Sequence, residues 1–138
     1  MARLLRVWAF WAVLALPAQA ASMPMDQPLT LTNNITAVCT GIGQSTDDPR
    51  WAAYPVRIEF ANAANQYIAD IHVTLSQNRK VLADLNCPGA WLLFQLPKGR
   101  YQLTAERIDA PHAASASAAF FPPAKGQKRV VLIFRDAK

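Results

Sequence analysis

The sequence predicts an all-β chain folded as an antiparallel sandwich of seven or eight short strands, and three observations carry that reading. Apolar and polar residues alternate with period two along Tyr54 to Ala61 (YPVRIEFA) and Tyr67 to Ser76 (YIADIHVTLS), as in strands with one buried face. Clusters of glycine, proline, asparagine and aspartate, the residues that supply turns, separate the apolar runs. No segment of the mature chain reads as a long helix. The stretch Trp91 to Ala105 (WLLFQLPKGRYQLTA) combines an apolar run, a turn at Leu96-Pro97-Lys98-Gly99, and a second run alternating through Tyr101, Leu103 and Ala105. Pro97 pre-sets φ for a turn and Gly99 accepts a positive φ, so the two runs are expected to pair as an antiparallel hairpin.

Met1 to Ala21 has the three parts of a secretory signal. Arg3 and Arg6 supply positive charge, Val7 to Leu16 is apolar, and Ala18-Gln19-Ala20 offers small residues to a signal peptidase. Residues 1–20 are therefore expected to be removed, leaving 118 of the 138 residues, enough for one domain. The apolar run is short for a bilayer and no stop-transfer charges follow it, so no stable membrane insertion is expected after cleavage. The mature chain is placed in the periplasm, or secreted.

Residues 21–34 read as a flexible lead-in or an edge strand, with Ser22 to Pro28 polar and Leu29 to Asn34 a short extended run. Residues 35–138 form the single sandwich domain. Ile35 to Ile42 is its first full strand, rich in β-branched residues. Gly43 to Ala53 is a loop with one helical turn near Ser45 or Thr46, followed by the alternating run Tyr54 to Ala61. Ala61 to Gln66, Asn78 to Lys80 and Asn86 to Gly89 are turns around the strands Tyr67 to Ser76 and Val81 to Leu85. Asp109 to Ala119 is rich in alanine, yet flanking β elements and Pro111 favour an irregular or edge strand over a helix. Pro122 and Pro123 end it, and Gln127 to Arg135 is apolar enough for a central strand.

Cys39 and Cys87 are the two cysteines. Export to an oxidising compartment makes a disulfide between them the natural reading, on neighbouring strands or on a strand and its adjoining turn. Its reduction should lower stability without abolishing the fold. Without Cys-x-x-Cys spacing, a redox pair or metal site has no local support. Loss of Arg3 and Arg6 leaves 12 basic against 9 acidic side chains, a formal +3, which is not the clustered footprint of a nucleic-acid binder.

The segments IADIHVTL (Ile68 to Leu75), LPKGRYQLTA (Leu96 to Ala105) and RVVLIFR (Arg129 to Arg135) together resemble the carboxypeptidase regulatory-like domain, a transthyretin- or prealbumin-type sandwich. The likeness to small free-standing bacterial periplasmic versions covers Tyr54 to Arg135. It implies an Ig-like, prealbumin-like fold in which Leu96, Pro97, Gly99, Tyr101 and Leu103 make the structure. It also implies a non-catalytic module with no cofactor.

Each chemical candidate has a plainer reading. His72 lies between apolar Ile71 and Val73 and so faces the opposite, exposed side; His112 is distant, and the two give no ligand spacing. Asp47-Asp48 reads as a solvated turn or a cap for Pro49 to Ala53 rather than a cation site. Hydrolase motifs are missing, and the C-terminal RDAK does not match the tetrapeptide of the transthyretin-like ureide hydrolase. Trp51, Tyr54, Tyr67 and Trp91 are core formers by default, with Trp51 beside Arg50 in a polar loop the first candidate for a binding surface. Lys98 and Arg100 make a small basic tip beside Gly99, read as solvated turn charge by default, with contact to a membrane lipid or a polyanion as the alternative. The function expected is an exported, non-enzymatic interaction or structural module with an envelope protein partner; the alternative is a glycan- or peptide-binding module using the aromatic loop. A transthyretin-like hydrolase ranks below both.

Overall fold

The computed structural model describes residues 20–31, 34–111 and 113–137. The segment before Ala20, expected to be a signal, and His112 lie outside the described residues. In chain order the strands are β1 (Ala21–Ser22), β2 (Leu29–Thr30), β3 (Thr36–Thr40), β4 (Val56–Asn62), β5 (Ile71–Gln77), β6 (Lys80–Cys87), β7 (Trp91–Gln95), β8 (Tyr101–Arg107), β9 (Ala116–Phe120) and β10 (Lys128–Phe134). Two short 3-10 turns, Gly43–Asp47 and Pro49–Ala53, fill the loop before β4. The strands form two five-stranded sheets, ordered β1-β6-β5-β8-β9 and β10-β4-β7-β3-β2. One core lies between them, with Phe60, Phe94, Phe120, Phe134 and Leu103 each no more than 2% exposed.

The all-β sandwich stands, with ten strands in place of the expected seven or eight, the two-residue β1 and β2 coming from the lead-in, and with two changes to the expected antiparallel pattern. β1 runs parallel to β6, and β10 runs parallel to β4 through seven register pairs. Each partner is reached only after a long excursion through other strands, which is what parallel pairing requires. Apolar Gln127 to Arg135 also belongs at an edge, not at the centre: Leu132 and Phe134 point inward while Val131 and Ile133 stand partly exposed on the outer face. Asp109 to Ala119 resolves as expected into an edge strand, β9, whose residues alternate in exposure.

The expected hairpin around Leu96 to Gly99 does not form. β7 lies between β3 and β4 in one sheet, and β8 lies between β5 and β9 in the other. The two runs differ in a way that explains this. WLLF in β7 is buried on both faces, whereas β8 alternates buried Tyr101, Leu103 and Ala105 with exposed Gln102 and Thr104. A run needing two covered faces and a run needing one are not natural partners at the same depth of a sheet. The segment between them instead carries the chain across the sandwich, pinned by Tyr101, whose hydroxyl donates to the Pro97 carbonyl at 2.8 Å in the manner of a tyrosine corner. Gly99 sits at φ +147°, where a Cβ would run into the Gln77 side chain. Leu96, Tyr101 and Leu103 reach the core. The tight hairpin lies earlier, where Asn78 and Arg79, both at positive φ, close β5 onto β6 with Gln77 opposite Lys80.

The Cys39–Cys87 disulfide is present, with Cα atoms 5.6 Å apart. It does not join neighbouring strands: Cys39 lies in β3 and Cys87 ends β6, so the bond ties one sheet to the other. Both cysteines take inward positions of their strands and meet in the core. Gly89 lets the chain pass directly under this point. Its N–H donates to Cys39 Sγ at 3.2 Å, and a Cβ there would collide with the Thr40 carbonyl. The lead-in takes its edge-strand form rather than its flexible one. Met23 is buried, Asp26 N–H donates to the Cys39 carbonyl at 2.8 Å, and β1 and β2 each extend a sheet.

Candidate functional site

Trp51 is packed, not displayed. At 3% exposure it covers Val38 and Leu93 on the outer face of β3 and β7, its Nε1–H donating to the Ser45 carbonyl at 2.7 Å. Tyr54 meets it edge-on at 6.0 Å between centroids. The apolar outer face of β7 needs a lid, and the 3-10 turn Pro49–Ala53 supplies it. Trp51 therefore offers no open ring for a sugar or peptide. Arg50 lies over that ring at 4.6 Å and pairs with Asp48, whose side chain also accepts from the Arg50 backbone N–H. The guanidinium holds the Asp48 carboxyl below its usual range. Asp48 is thus the cap expected for Pro49 to Ala53.

Lys98 and Arg100 are exposed and acquire company the sequence did not reveal. The β5–β6 turn lies at the same end of the sandwich, since Ser76 pairs with Gln102 and Gln77 with Lys80. A cleft of about 360 Å³ is lined by Ser76, Gln77, Arg79, Arg100 and Gln102. A second, of about 410 Å³, brings Lys80 and Lys98 together. The segment after β9 closes on this end too, with Phe121 and Pro122 sharing a cleft with Lys98 and Gly99. It carries Lys125, and Lys128 N–H donates to Pro55 beside that cleft. Only the adjacency of Lys98 and Arg100 was visible in the sequence. The others could be found only by knowing at which end each turn falls.

Two charged networks occupy the outer sheet faces. Glu59 on β4, 0% exposed, accepts from the Tyr67 hydroxyl at 2.6 Å, from Arg57 at 3.1 Å and from both nitrogens of a clamp by Arg129. Burial alone would raise its pKa, but the hydrogen bonds from Arg129 and Tyr67 and the two positive charges outweigh it and hold the carboxyl low. Arg57 also lies 4.5 Å over the Trp91 ring, and Tyr67 meets that ring edge-on. On the other sheet, His72 points outward as expected, bonded through Nδ1 to Glu106 at 2.9 Å and through Nε2 to Asp84. Burial would lower its pKa, but these two carboxylates raise it.

Among the described residues, no three His, Cys, Asp or Glu side chains are grouped to hold a metal ion, and no helix is long and apolar enough to cross a membrane. No family model matches the chain, and no curated protein matches it.

Proposed function

We propose that this protein is an exported, non-enzymatic sandwich that works through contacts with an envelope protein, the kind of module its resemblance to carboxypeptidase regulatory-like domains implies. The observation that carries the reading is the outer face of β10 and β4. Val131 and Ile133 are each 36% exposed there, and Tyr67 is 50% exposed. Arg129 stands two residues before Val131 on the same face of β10, clamped on Glu59. Tyrosine, arginine and aliphatic side chains on a rigid base are the materials of protein interfaces, where a few aromatic and arginine anchors carry most of the affinity. The ionisable groups of both sheet faces also satisfy one another, Glu59 with its cations and His72 with its carboxylates, in the manner of structural pairs. A disulfide tying the sheets together suits an oxidising compartment, which supports placement in the periplasm or outside the cell.

The test is in-cell photo-cross-linking from residue 133, with the same probe at position 104 on the exposed face of the opposite sheet as control. A single envelope protein recovered repeatedly from position 133 alone is the expected result. Equal background from both positions would overturn the reading, as would a hydrolytic activity of the purified protein abolished by one polar substitution.

A further inference from the structure

We propose that the end of the sandwich formed by the β5–β6 turn, the β7–β8 crossover and residues 121–128 docks on an anionic lipid surface, with a headgroup phosphate held between Arg79 and Arg100. The proposal does not depend on the protein-contact reading, which concerns another face. Cations are sorted in this molecule. Arg50, Arg57, Arg107 and Arg129 each have a carboxylate partner. Seven cations have none among the described residues: Arg79, Lys80, Lys98, Arg100, Lys125 and Lys128 gather at one end, and Arg135 alone lies at the other. Residues 76–80, 95–102 and 121–128 contain no aspartate or glutamate. The far end of the β5 sheet carries Asp70, Glu106 and Asp109. Charge so polarised would turn the basic end towards an anionic surface during approach.

The chemistry of the cleft fits a phosphate group. Two guanidiniums and the carboxamides of Gln77 and Gln102 present hydrogen-bond donors to one cavity, whose wall includes Ser76, its hydroxyl donating to the Gln102 carbonyl at 3.5 Å. Phe121 distinguishes a lipid surface from a soluble polyanion. It is 57% exposed beside the Lys98 cleft, and cations around a projecting aromatic ring are what an interface of headgroups and acyl chains takes up. Arg79 adds a further hint. It stands at φ +65° in a two-residue turn where glycine is the favoured residue, so the backbone tolerates strain to keep a guanidinium there.

The experiment is co-sedimentation of the purified protein with vesicles of phosphatidylcholine alone or mixed with phosphatidylglycerol. Binding is expected only to the mixed vesicles, and it should fall at high salt. Each basic residue near such a surface is worth about fivefold in partitioning. Lys98→Glu with Arg100→Glu should therefore reduce binding by more than about tenfold, while Arg135→Glu, at the opposite end of β10, should leave it unchanged. Arg79→Gly should weaken binding while raising Tm, which separates loss of the ligand contact from loss of the fold. Phe121→Ser should weaken vesicle binding without removing its salt dependence. Equal binding to neutral vesicles, or full binding by the Lys98→Glu/Arg100→Glu variant, would overturn the proposal. Salt-sensitive binding to heparin with none to vesicles would overturn it too, in favour of a soluble polyanion.

Discussion

The two sheets carry mirror-image charge clusters on their outer faces, and they differ in what surrounds them. On β4 a carboxylate, Glu59, is held among guanidiniums; on β5 an imidazole, His72, is held between carboxylates. Glu59 is fully buried under Tyr67, Trp91 and the arginine stems, whereas the side chains of His72, Asp84 and Glu106 are 26%, 43% and 40% exposed. The cause lies in the strands beneath. β7 is apolar on both faces, so its sheet must be roofed on the outside, by Trp51 at one end and by the Glu59 network at the other. β5 and β8 alternate, so their sheet needs cover only on the inside, and its outer face meets water. The same kind of polar cluster is therefore structural on one face and largely solvated on the other.

Removing the roof should show the largest effect. Trp51→Ala exposes Val38 and Leu93 and deletes a buried indole, which in a packed site costs about 3–5 kcal/mol. Thr104→Ala, on the outer face of β8, should change stability by less than about 0.5 kcal/mol. Urea midpoints for both variants measure the contrast. A Trp51 variant as stable as the Thr104 variant would mean that the 3-10 segment is an ornament and that β7 tolerates an open outer face.

The Glu59 cluster comes next. Glu59→Gln keeps the shape but withdraws the negative charge, leaving Arg57 and Arg129 facing an amide. Breaking a fully buried pair costs about 3–5 kcal/mol; since the arginine side chains are 27% and 55% exposed, water should reduce this to about 1–3 kcal/mol. The pH dependence has a definite sign. The Glu59 pKa is lowered by folding, so its contribution is present above the ordinary carboxylate range and is lost as pH falls through the folded-state value. Denaturant midpoints taken from neutral to acid should fall for the wild type and fall less steeply for the variant. Parallel curves would show that the network does not act through charge.

The sequence made some of this contrast legible and hid the rest for physical reasons. Period-two alternation reports how many faces of a strand are covered, and β4, β5 and β8 were readable from Val56, Ile58 and Phe60, from Ile71, Val73 and Leu75, and from Tyr101, Leu103 and Ala105. Alternation does not report which strand lies alongside. Trp91 to Gln95 reads as a hairpin arm because it precedes a good turn, yet Pro97, Gly99 and Tyr101 build a crossover between sheets just as well. Val131 and Ile133 made β10 look central, because apolar residues on an exposed outer face have the same letters as a buried one. Trp51 is a core former by default and a binding candidate by its polar setting GQSTDDPRW, and a local window cannot show that the turn folds back over Leu93. At the basic end, Lys98 and Arg100 were neighbours in sequence, but Arg79 and Lys80 join them only through the β5–β6 register. Cys39 and Cys87 were paired correctly from compartment logic alone, while their placement across the two sheets required the topology.

The smallest expected effect belongs to the exposed counterpart of Glu59. The His72 pKa is raised by Glu106 and Asp84 against the opposing influence of burial. A group whose pKa is raised by folding contributes its full stability below its unfolded value, about 6.5 for histidine, and loses it as pH climbs through the folded value. The wild type should therefore weaken slightly as pH rises from about 6 to 8, opposite in sign to the acid weakening caused by Glu59. With all three side chains partly in water, the change should stay below about 1 kcal/mol. His72→Gln should flatten this branch and leave the acid branch intact, and Asp84→Asn should lower the imidazole pKa measured by NMR titration. A His72 pKa unmoved by Asp84→Asn would mean that water already screens the cluster completely. The two sheets would then differ not in degree but in kind, with charge organised on one face and merely dissolved on the other.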